Sequence, residues 1–438
     1  MSAIERKPSS PPATSPNDPR YYDERDLEAE LLRTFQICHE CRMCVNYCGS
    51  FPELFARVDR EIDSGRAEGA ERIDADDIRT VSEECWQCKL CYIKCPYTKD
   101  EDAHELLDFP RLMAREKAVR AKREGVTFTD RVLGEPQLVG FLGGGFMAGP
   151  SQLITKNQLL RKVAEKVTGI SAEFPLPPLA PDPFPRWMAR RQPGKKAGEA
   201  GEVVLFATCY GNYNLPEVSR AAVQVLEHVG YRVHTVSETC CGMPNLDGGD
   251  VAAAQAKIQH NVAELLPHVR EGRAILVPSP TCGYTMKREW PEYVDEPEVA
   301  EVSAAVVDLM EFVEGLRRDK ALPPAGESLG KVAYHAACHL RAQKIGFPGM
   351  RVLARTAPDT EVEMVEQCSA VDGTWGMKAE HYETGRRYAG KLTKGVEAAD
   401  ADLVVTDCPL SALRIQQENG EQAIHPIQAL ARAYGLKP

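Results

Sequence analysis

The sequence has no run of about twenty mostly apolar residues, and its opening stretch, MSAIERKPSSPPATSPNDPR, contains no apolar core. A membrane-spanning helix needs the first feature and a secretory signal needs the second. We therefore expect a cytoplasmic protein whose cysteines stay reduced. Cysteines at short fixed spacings in that compartment indicate metal or redox sites in preference to structural disulfides.

Positive charge is also scarce. The chain has 53 Lys and Arg against 64 Asp and Glu, a net charge of −11, and no basic stripe interleaved with aromatic residues. A phosphate backbone requires such a stripe, so nucleic acid is excluded as a partner. There is no Walker loop, no H-E-x-x-H and no G-x-S-x-G motif, and these absences argue against the corresponding nucleotide, zinc and hydrolase chemistries.

Cysteine is abundant, with 15 in 438 residues. Eight of them form two copies of C-x2-C-x2-C-x3-C, CHECRMCVNYC and CWQCKLCYIKC. In this motif three thiolates reach one iron-sulfur cube and the fourth reaches a neighbouring cube. The spacing therefore predicts two 4Fe-4S clusters with crossed ligand sets, Cys38, Cys41, Cys44 and Cys95 for one, and Cys85, Cys88, Cys91 and Cys48 for the other.

Zinc knuckles are the competing interpretation, but zinc takes four ligands that are usually grouped in twos, which fits two runs of four poorly. Helical patterns flank both motifs, so the region resembles the helical ferredoxin domain of respiratory iron-sulfur subunits. Lys89, Lys94 and Lys99 surround the second motif, whereas Glu40 and Arg42 cancel in the first. Positive charge favours the reduced cluster, so we expect the higher potential at the second motif, unless these lysines are simply solvated.

The remaining cysteines each follow a β-rich run, in a region where such runs alternate with helical stretches. This alternation predicts parallel α/β sheets, and ligands bind at the carboxyl ends of parallel strands. Two passes of the pattern superimpose, because three cysteine pairs are 129, 128 and 126 residues apart. The candidate metal ligands of this duplicated region are Cys209, Cys240, Cys241, Cys282, Cys338, Cys368 and Cys408.

Through CYGNYNLPEVSRA, CCGMPNL, YHAACHLRAQKIG and LVVTDC, the chain resembles proteins with duplicated cysteine-rich (CCG) domains. These include the iron-sulfur subunits of anaerobic glycerol-3-phosphate dehydrogenases and of heterodisulfide reductases. The resemblance implies an iron-sulfur electron-transfer subunit that relays electrons from a flavoprotein partner toward quinone or another acceptor. It also implies a cytoplasmic position, with peripheral attachment to the cytoplasmic face of the inner membrane as an open alternative.

The predicted fold class is α plus α/β, a helical ferredoxin domain followed by two duplicated α/β cysteine-rich domains. The expected segments are a disordered N-terminal segment (1–24), the helical double 4Fe-4S ferredoxin domain (25–125), a Gly/Pro-rich connector (126–199) and the two cysteine-rich domains (200–330 and 331–438). Because prolines block both helix and central strand, we expect the connector to be an extended linker on the surface. The alternatives are a thiol or disulfide reductase acting at the crevice of these domains and a sensor or scaffold stabilised by its clusters. Whether the chain is itself an enzyme stays open.

Both repeats depart from the complete cysteine-rich module. Ser279 stands where the first repeat would have a further cysteine, and Ser369 and Ser411 do so in the second. Four thiolates suffice for a third iron-sulfur cluster in the first repeat. In the second repeat, His335 or His339 could complete a three-cysteine site, or the three cysteines are buried small hydrophobes.

The connector contains twenty consecutive uncharged residues, PQLVGFLGGGFMAGPSQLIT, followed by the short amphipathic segment NQLLRKVAEKVTGI. Five glycines argue against a membrane-spanning helix. The segment is either a strap packed on the protein's own core or a docking element for a membrane or a partner.

Overall fold

The computed structural model describes residues 4–437, which form two units. The first unit comprises 4–127 and 245–252, and the second comprises 128–244 and 253–437. Among the described residues, every helix is too short or too polar to cross a bilayer.

The first unit is helical, as predicted. Its helices are α1 (Glu24–Cys41), α2 (Ser50–Asp63), α3 (Ala75–Glu83), α4 (Leu90–Lys94) and α5 (Phe109–Glu124), with single 3₁₀ turns at Ala70–Arg72 and Lys99–Glu101. Acidic side chains cap three of them: Asp23, Asp74 and Asp108 accept hydrogen bonds from the first backbone N–H groups of α1, α3 and α5. Phe35, Phe51 and Phe109 pack against one another and join α1, α2 and α5.

Residues 4–23 pack on the first unit, where the sequence predicted disorder. Ala13 and Tyr21 are buried, and the buried guanidinium of Arg115 donates to the carbonyl oxygens of Arg20 (2.6 Å) and Tyr21 (2.8 Å). The prediction was based on the low apolar content of the segment. A few anchoring contacts to α5 order it instead, and composition gave no sign of them.

The connector is largely helical, where the sequence predicted an extended linker. It contains α6 (Phe128–Leu133), α7 (Pro136–Gly143), a 3₁₀ turn (Gly145–Met147), α8 (Ala148–Lys156), α9 (Gln158–Thr168) and α10 (Phe184–Arg190). Prolines lie in the first turns of α7 and α10, where the missing N–H has no partner to lose. The proline-rich stretch between α9 and α10 has no helix or strand beyond one isolated bridge at Ile170, and residues 191–200 have none either.

Two parallel sheets form the rest of the second unit, as the alternating pattern predicted. The strands are β1 (Gly201–Leu205), β2 (Tyr231–His234), β3 (Ala274–Val277), β4 (Val306–Asp308), β5 (Lys331–His335), β6 (Glu361–Val365) and β7 (Leu403–Thr406). The strand orders are β2-β1-β3-β4 and β6-β5-β7, so the first three strands of each repeat are arranged alike. Sequence analysis missed β4, which has only three residues.

Helices connect and cover these strands. They are α11 (Thr208–Tyr213), α12 (Pro216–His228), α13 (Met243–Asp247), α14 (Val251–Arg270), α15 (Pro280–Tyr284), α16 (Trp290–Tyr293), α17 (Pro297–Ala304), α18 (Leu309–Arg318), α19 (Cys338–Ala342), α20 (Pro348–Thr356), α21 (Tyr382–Ala399), α22 (Pro409–Asn419) and α23 (Pro426–Ala433). A π-helical turn (Thr285–Glu289) and a 3₁₀ turn (Trp375–Met377) complete the list.

One apolar core spans both repeats. Val203 and Leu205 of β1 and Leu276 of β3 share it with Val332 of β5 and Val405 of β7. Strands buried on both faces explain why β-rich runs such as VVLF were continuous and not alternating. The predicted fold class, helical ferredoxin region followed by two α/β cysteine-rich regions, is confirmed.

Candidate metal centres

The first cysteine motif lies at the end of α1 and in the turn that follows it. Cys38 and Cys41 are on the last helical turn, and Arg42 ends the helix in a left-handed conformation (φ 51°). Cys44 and Cys48 then precede α2. The left-handed residue reverses the chain, so thiols from the helix and from the turn can face one another.

The second motif contains the same left-handed turn. Lys89, like Arg42, directly follows the second cysteine of its motif and is left-handed (φ 63°). Gln87 is left-handed as well (φ 48°). A non-glycine residue in this conformation costs on the order of 1 kcal/mol and persists only where the surrounding structure requires it. A left-handed non-glycine residue at the same position of both motifs therefore indicates a backbone shape that brings the cysteines together.

The structure places Cys95 beside the first motif and Cys48 beside the second, as crossed ligand sets require. Burial and the neighbouring thiols of Cys95, Cys44 and Cys41 raise the pKa of Cys38. Burial, Cys95 and Cys41 likewise raise the pKa of Cys44 to about 12. Cys95 thus interacts with the first motif, although it belongs to the second in the sequence.

Cys48 belongs to the first motif in the sequence but interacts with the second. Burial and the thiols of Cys88, Cys85, Cys48 and Cys44 raise the pKa of Cys91. Burial beside other thiols makes the Cys91 thiol hard to ionise, and a bound metal group would compensate the charge of its thiolate. The eight cysteines therefore form two groups of thiols. Ionising them without a bound metal group would cost free energy.

A cavity of about 30 Å³ lies at the first set. Cys38, Cys41, Cys44 and Cys95 line it together with the apolar side chains of Ile37, Met43, Phe51, Phe55, Pro96 and Leu107 and with Tyr97. A zinc ion would draw its sulfur ligands to about 2.3 Å from one centre. Within residues 4–437 no three His, Cys, Asp or Glu side chains meet the geometry of a metal-ion site. The preference for an iron-sulfur cluster over a zinc knuckle rests on the two runs of four cysteines in the sequence.

Of the three lysines around the second motif, only Lys89 is buried, whereas Lys94 and Lys99 are exposed. The Lys89 ammonium donates to Gln87 Oε1 at 3.0 Å, and Gln87 Nε2 lies 3.4 Å from Cys85 Sγ and donates to the Pro110 carbonyl at 2.9 Å. This arrangement fixes one positive charge beside the second cysteine set, in an environment that screens it weakly.

We predict that Lys89→Gln lowers the midpoint potential of the centre at the second motif by about 40–90 mV. One charge at about 8 Å and an effective dielectric constant of about 20 contributes about 2 kcal/mol, and a tenfold change in a one-electron equilibrium is about 59 mV. Lys94→Gln is the matched control, since water screens that exposed charge, and its shift should stay under about 20 mV. Reductive titration with EPR detection measures both. Equal shifts in the two variants would show that the buried lysine has no special effect.

In the first repeat, four cysteines meet at the carboxyl ends of β1, β2 and β3. Cys209, Cys240, Cys241 and Cys282 are all buried. Hydrogen bonds to its sulfur from Cys209 and Cys241 lower the pKa of Cys240 and raise those of its two neighbours. Cys241 also interacts with Cys282. The four thiols therefore form one continuous sulfur network.

Buried polar side chains hold the loops that carry this network. The Glu238 carboxylate accepts from the Thr208 backbone N–H (2.9 Å) and from Asn212 Nδ2 (2.8 Å), which ties the turn around Cys209 to the loop before Cys240. Burial raises the pKa of Glu238 to about 8. Asn261 Nδ2 donates to the Cys240 carbonyl at 3.1 Å, and Trp290 Nε1 donates to the Cys241 carbonyl at 2.9 Å. Backbone positions on both sides of the network are thus fixed.

A cavity of about 230 Å³ lies beside the first-repeat cysteines. Its walls are mostly apolar and include Val132, Leu133, Leu176 and Met377. All four cysteines line it, and so does Cys408 from the second repeat. Sequence analysis grouped Cys408 with its own repeat only, because the duplication says nothing about how the two repeats pack.

Tyr210 is a second feature of this site that sequence reasoning missed. The side chain is buried, and burial together with Cys209, Cys408, Cys240 and Cys282 raises its pKa. It also lines the cavity. Its position directly after Cys209 was the available signal, since α11 carries both residues.

The second repeat brings together three thiols and two hydroxyls. Burial and the thiols of Cys368 and Cys408 raise the pKa of Cys338, and burial raises that of Cys368 to about 11. Ser411 Oγ donates to Ser369 Oγ at 2.9 Å. The two serines that replace cysteines of the complete module therefore pair with each other, and the second repeat has fewer sulfur ligands than the first.

His335 does not complete this site. Its Nε2 donates to the Gln367 carbonyl at 3.0 Å, and its Nδ1 accepts from Thr406 Oγ1 at 2.8 Å, so neither ring nitrogen offers a lone pair. Burial lowers the pKa of His335 to about 4, which keeps the ring neutral. His339 Nδ1 lies 3.1 Å from Thr281 Oγ1 and 3.9 Å from Cys338 Sγ. Of the two histidines, only His339 adjoins the thiols.

Comparison with known proteins agrees with this geometry. Residues 37–100 match the family of 4Fe-4S dicluster domains, and residues 203–287 and 332–415 match the family of cysteine-rich domains. Fold and sites thus define an iron-sulfur protein that joins a domain for two 4Fe-4S clusters to two cysteine-rich domains.

Three relatives extend this assignment. The chain is 29% identical over 306 residues to a subunit of the anaerobic glycerol-3-phosphate dehydrogenase of Escherichia coli, covering 69% of this chain and 76% of that protein. It is 25% identical over 244 residues to a subunit of the fumarate reductase (CoM/CoB) of Methanothermobacter marburgensis, covering 55% of this chain and 45% of that protein. It is 29% identical over 186 residues to lactate utilization protein A of Bacillus thuringiensis, covering 40% and 75%. The chain is a distant homologue of these proteins and an iron-sulfur protein of the oxidoreductase class.

Proposed function

We propose that this chain is an electron-transfer subunit that relays electrons from a flavoprotein partner toward quinone or another acceptor. The observation that carries the proposal is the crossed convergence of eight thiols in the first unit, joined in one chain to a sulfur network in the second. Clusters of this kind accept and give one electron at a time. The sequence contains no dinucleotide fingerprint that would collect hydride equivalents.

The proposed ligand sets follow the contacts. Cys38, Cys41, Cys44 and Cys95 would hold one 4Fe-4S cluster, and Cys48, Cys85, Cys88 and Cys91 the other. Cys209, Cys240, Cys241 and Cys282 would hold a third iron-sulfur centre, with Cys408 beside it. The apolar walls around the first and third sets exclude water, and the Lys89 ammonium supplies a fixed charge at the second set.

The relatives support the proposal of partner proteins. One is named as a subunit of an anaerobic glycerol-3-phosphate dehydrogenase, which places that protein in an assembly of several chains. We therefore propose a flavoprotein dehydrogenase as the electron donor and a cytoplasmic location for the complex.

A thiol or disulfide reductase is the second candidate function. The thiol-lined cavity favours it, and a relative is named as part of a CoM/CoB fumarate reductase. The serine pair of the second repeat speaks against it, because that repeat lacks two sulfur ligands of the complete module. We favour the relay.

Anaerobic copurification followed by kinetics separates the two functions. For a relay, the chain should copurify with a flavoprotein, and reduction of a soluble quinone analogue should require both proteins. We expect Cys91→Ser to reduce this activity at least tenfold at unchanged flavin content. Turnover of disulfides by the isolated chain with an artificial donor, together with no flavoprotein partner, would contradict the relay.

A further inference from the structure

Exposed apolar side chains are concentrated in the connector. Of fifteen large apolar side chains that are exposed in the described part of the chain, twelve lie between residues 128 and 167. We call this set the apolar face: Phe128, Leu138, Val139, Phe141, Leu142, Phe146, Met147, Leu153, Leu159, Leu160, Val163 and Val167. Scattered single apolar residues are normal on protein surfaces, but a concentration of this size in one segment indicates a binding surface.

In helix α9 the exposed apolar side chains lie on one side of the helix. Leu159, Val163 and Val167 are four residues apart and form one exposed stripe. Arg161, which lies between them, faces the protein: its buried guanidinium donates to the carbonyls of Ser171 (2.6 Å) and Phe174 (2.7 Å). An amphipathic helix on a water-exposed surface normally has the opposite arrangement. The apolar side of α9 is therefore presented outward.

Helix α7 likewise packs one side on the protein and exposes apolar side chains on the other. At Gly140 a Cβ atom would lie 2.6 Å from Tyr213 Cβ, so glycine is what allows α7 to pack directly on α11. Gln137 Nε2 donates to the Glu238 carbonyl at 2.7 Å. With its inner side fixed on the loops that carry the cysteines, α7 exposes Leu138 and Leu142 on the other side. Phe146, in the turn after α7, is 91% exposed.

The exposed charges of the segment that carries the apolar face are positive. The exposed charged side chains described between residues 128 and 168 are Arg131, Lys162 and Lys166. The three acidic residues of this range all have partners. Asp130 pairs with Lys378 at 2.8 Å, Glu135 pairs with Lys257 at 2.7 Å, and Glu165 accepts from the Ala172 backbone N–H at 2.6 Å. A basic rim on a chain with a net charge of −11 complements an anionic surface.

We propose that the apolar face docks this protein on the surface of an anionic lipid bilayer. Apolar residues on one side of short helices, with lysines at the rim, are the pattern of helices that lie in the membrane interface. Interfaces between proteins ordinarily contain about one hydrogen bond per 100–200 Å² of interface. The apolar side chains of this face have no hydrogen-bonding groups, so the face suits a lipid surface better than a protein partner. The proposal deepens the proposed function by placing the relay at a membrane, but it requires no cluster and can fail independently.

Flotation of the full-length chain with vesicles tests the proposal. The vesicles are phosphatidylcholine with 30% phosphatidylglycerol, or phosphatidylcholine alone, and the protein is kept anaerobic. We expect the wild-type chain to float with the anionic vesicles. The triple variant F146D/L159D/V163D should bind these vesicles with a partition coefficient at least about tenfold lower than that of the wild type. The reason is that it places three negative charges in the membrane interface. K162Q/K166Q should lose binding to anionic vesicles more than to neutral ones.

The charge-matched control is M364D/A398D/Q422D, which adds the same three charges at exposed positions outside the connector. It should float like the wild type. Circular dichroism checks that every variant is folded, and dithionite-bleachable absorption of the same samples reports separately on the clusters. Wild-type protein that stays in the soluble fraction, or equal flotation of F146D/L159D/V163D and the control, would overturn the proposal and leave a protein partner as the occupant of this face.

Discussion

Replacing Cys95 with serine is expected to remove the cluster of the first motif, although Cys95 lies in the second. The reason is the crossed arrangement, in which the Cys95 thiol interacts with Cys38 and Cys44. The variant should lose about four iron atoms and about four sulfides per chain. EPR of the reduced protein should retain the signal of the remaining cluster, whose potential the variant should leave nearly unchanged.

Cys48→Ser is the reciprocal variant, because Cys48 interacts with Cys91. It should remove the other cluster and leave the signal that Cys95→Ser abolishes. Cys368→Ser, in the second unit, is the control that should leave both signals intact. If Cys95→Ser and Cys85→Ser abolished the same signal, ligation would follow the sequence motifs and the crossed assignment would be wrong.

Replacing Cys240 with alanine is expected to remove the third centre. Cys240 lies at the middle of the first-repeat network, since its sulfur accepts hydrogen bonds from Cys209 and Cys241. Its loss would leave three thiols in the first repeat and also break the network between the strand ends. Iron and sulfide should fall by about four each, with both clusters of the first unit preserved. Because metal ligation couples to folding, the midpoint of thermal unfolding of the second unit should fall by several degrees.

Cys338→Ala is the matched control, because Cys338 begins α19 of the second repeat as Cys209 lies in α11 of the first. Unchanged iron and sulfide in Cys338→Ala would assign the metal to the first repeat alone. Equal losses in Cys240→Ala and Cys338→Ala would mean that both repeats bind metal. If Cys240→Ala kept its full iron content, the third-centre assignment would be wrong.

Much of the fold could be predicted because it depends on local patterns. Continuous β-rich runs and their spacing identified six of the seven strands, and the equal offsets between cysteines identified the duplication. The three-residue β4 is too short to produce a pattern. The helices of the connector were missed because prolines suggested breaks, while in α7 and α10 they occupy the tolerated first turn.

The candidate sites likewise have some features that local spacing predicts and others that depend on long-range packing. Motif spacing alone predicted the crossed proximity of the eight ferredoxin cysteines, because short spacings in turns leave few possible geometries. Contacts between distant segments could not be predicted. Cys408 reaches the first-repeat cavity only through the packing of one repeat on the other. The burial of Lys89 and the engagement of both His335 nitrogens likewise depend on residues remote in sequence.

The measurement that tests the central claim most directly is the visible absorption of the anaerobically purified full-length chain, with iron and sulfide analysis. The account predicts a brown protein whose broad absorption bleaches with dithionite, with at least about eight iron atoms and eight sulfides per chain. A colourless protein, or one that holds zinc without sulfide, would contradict it.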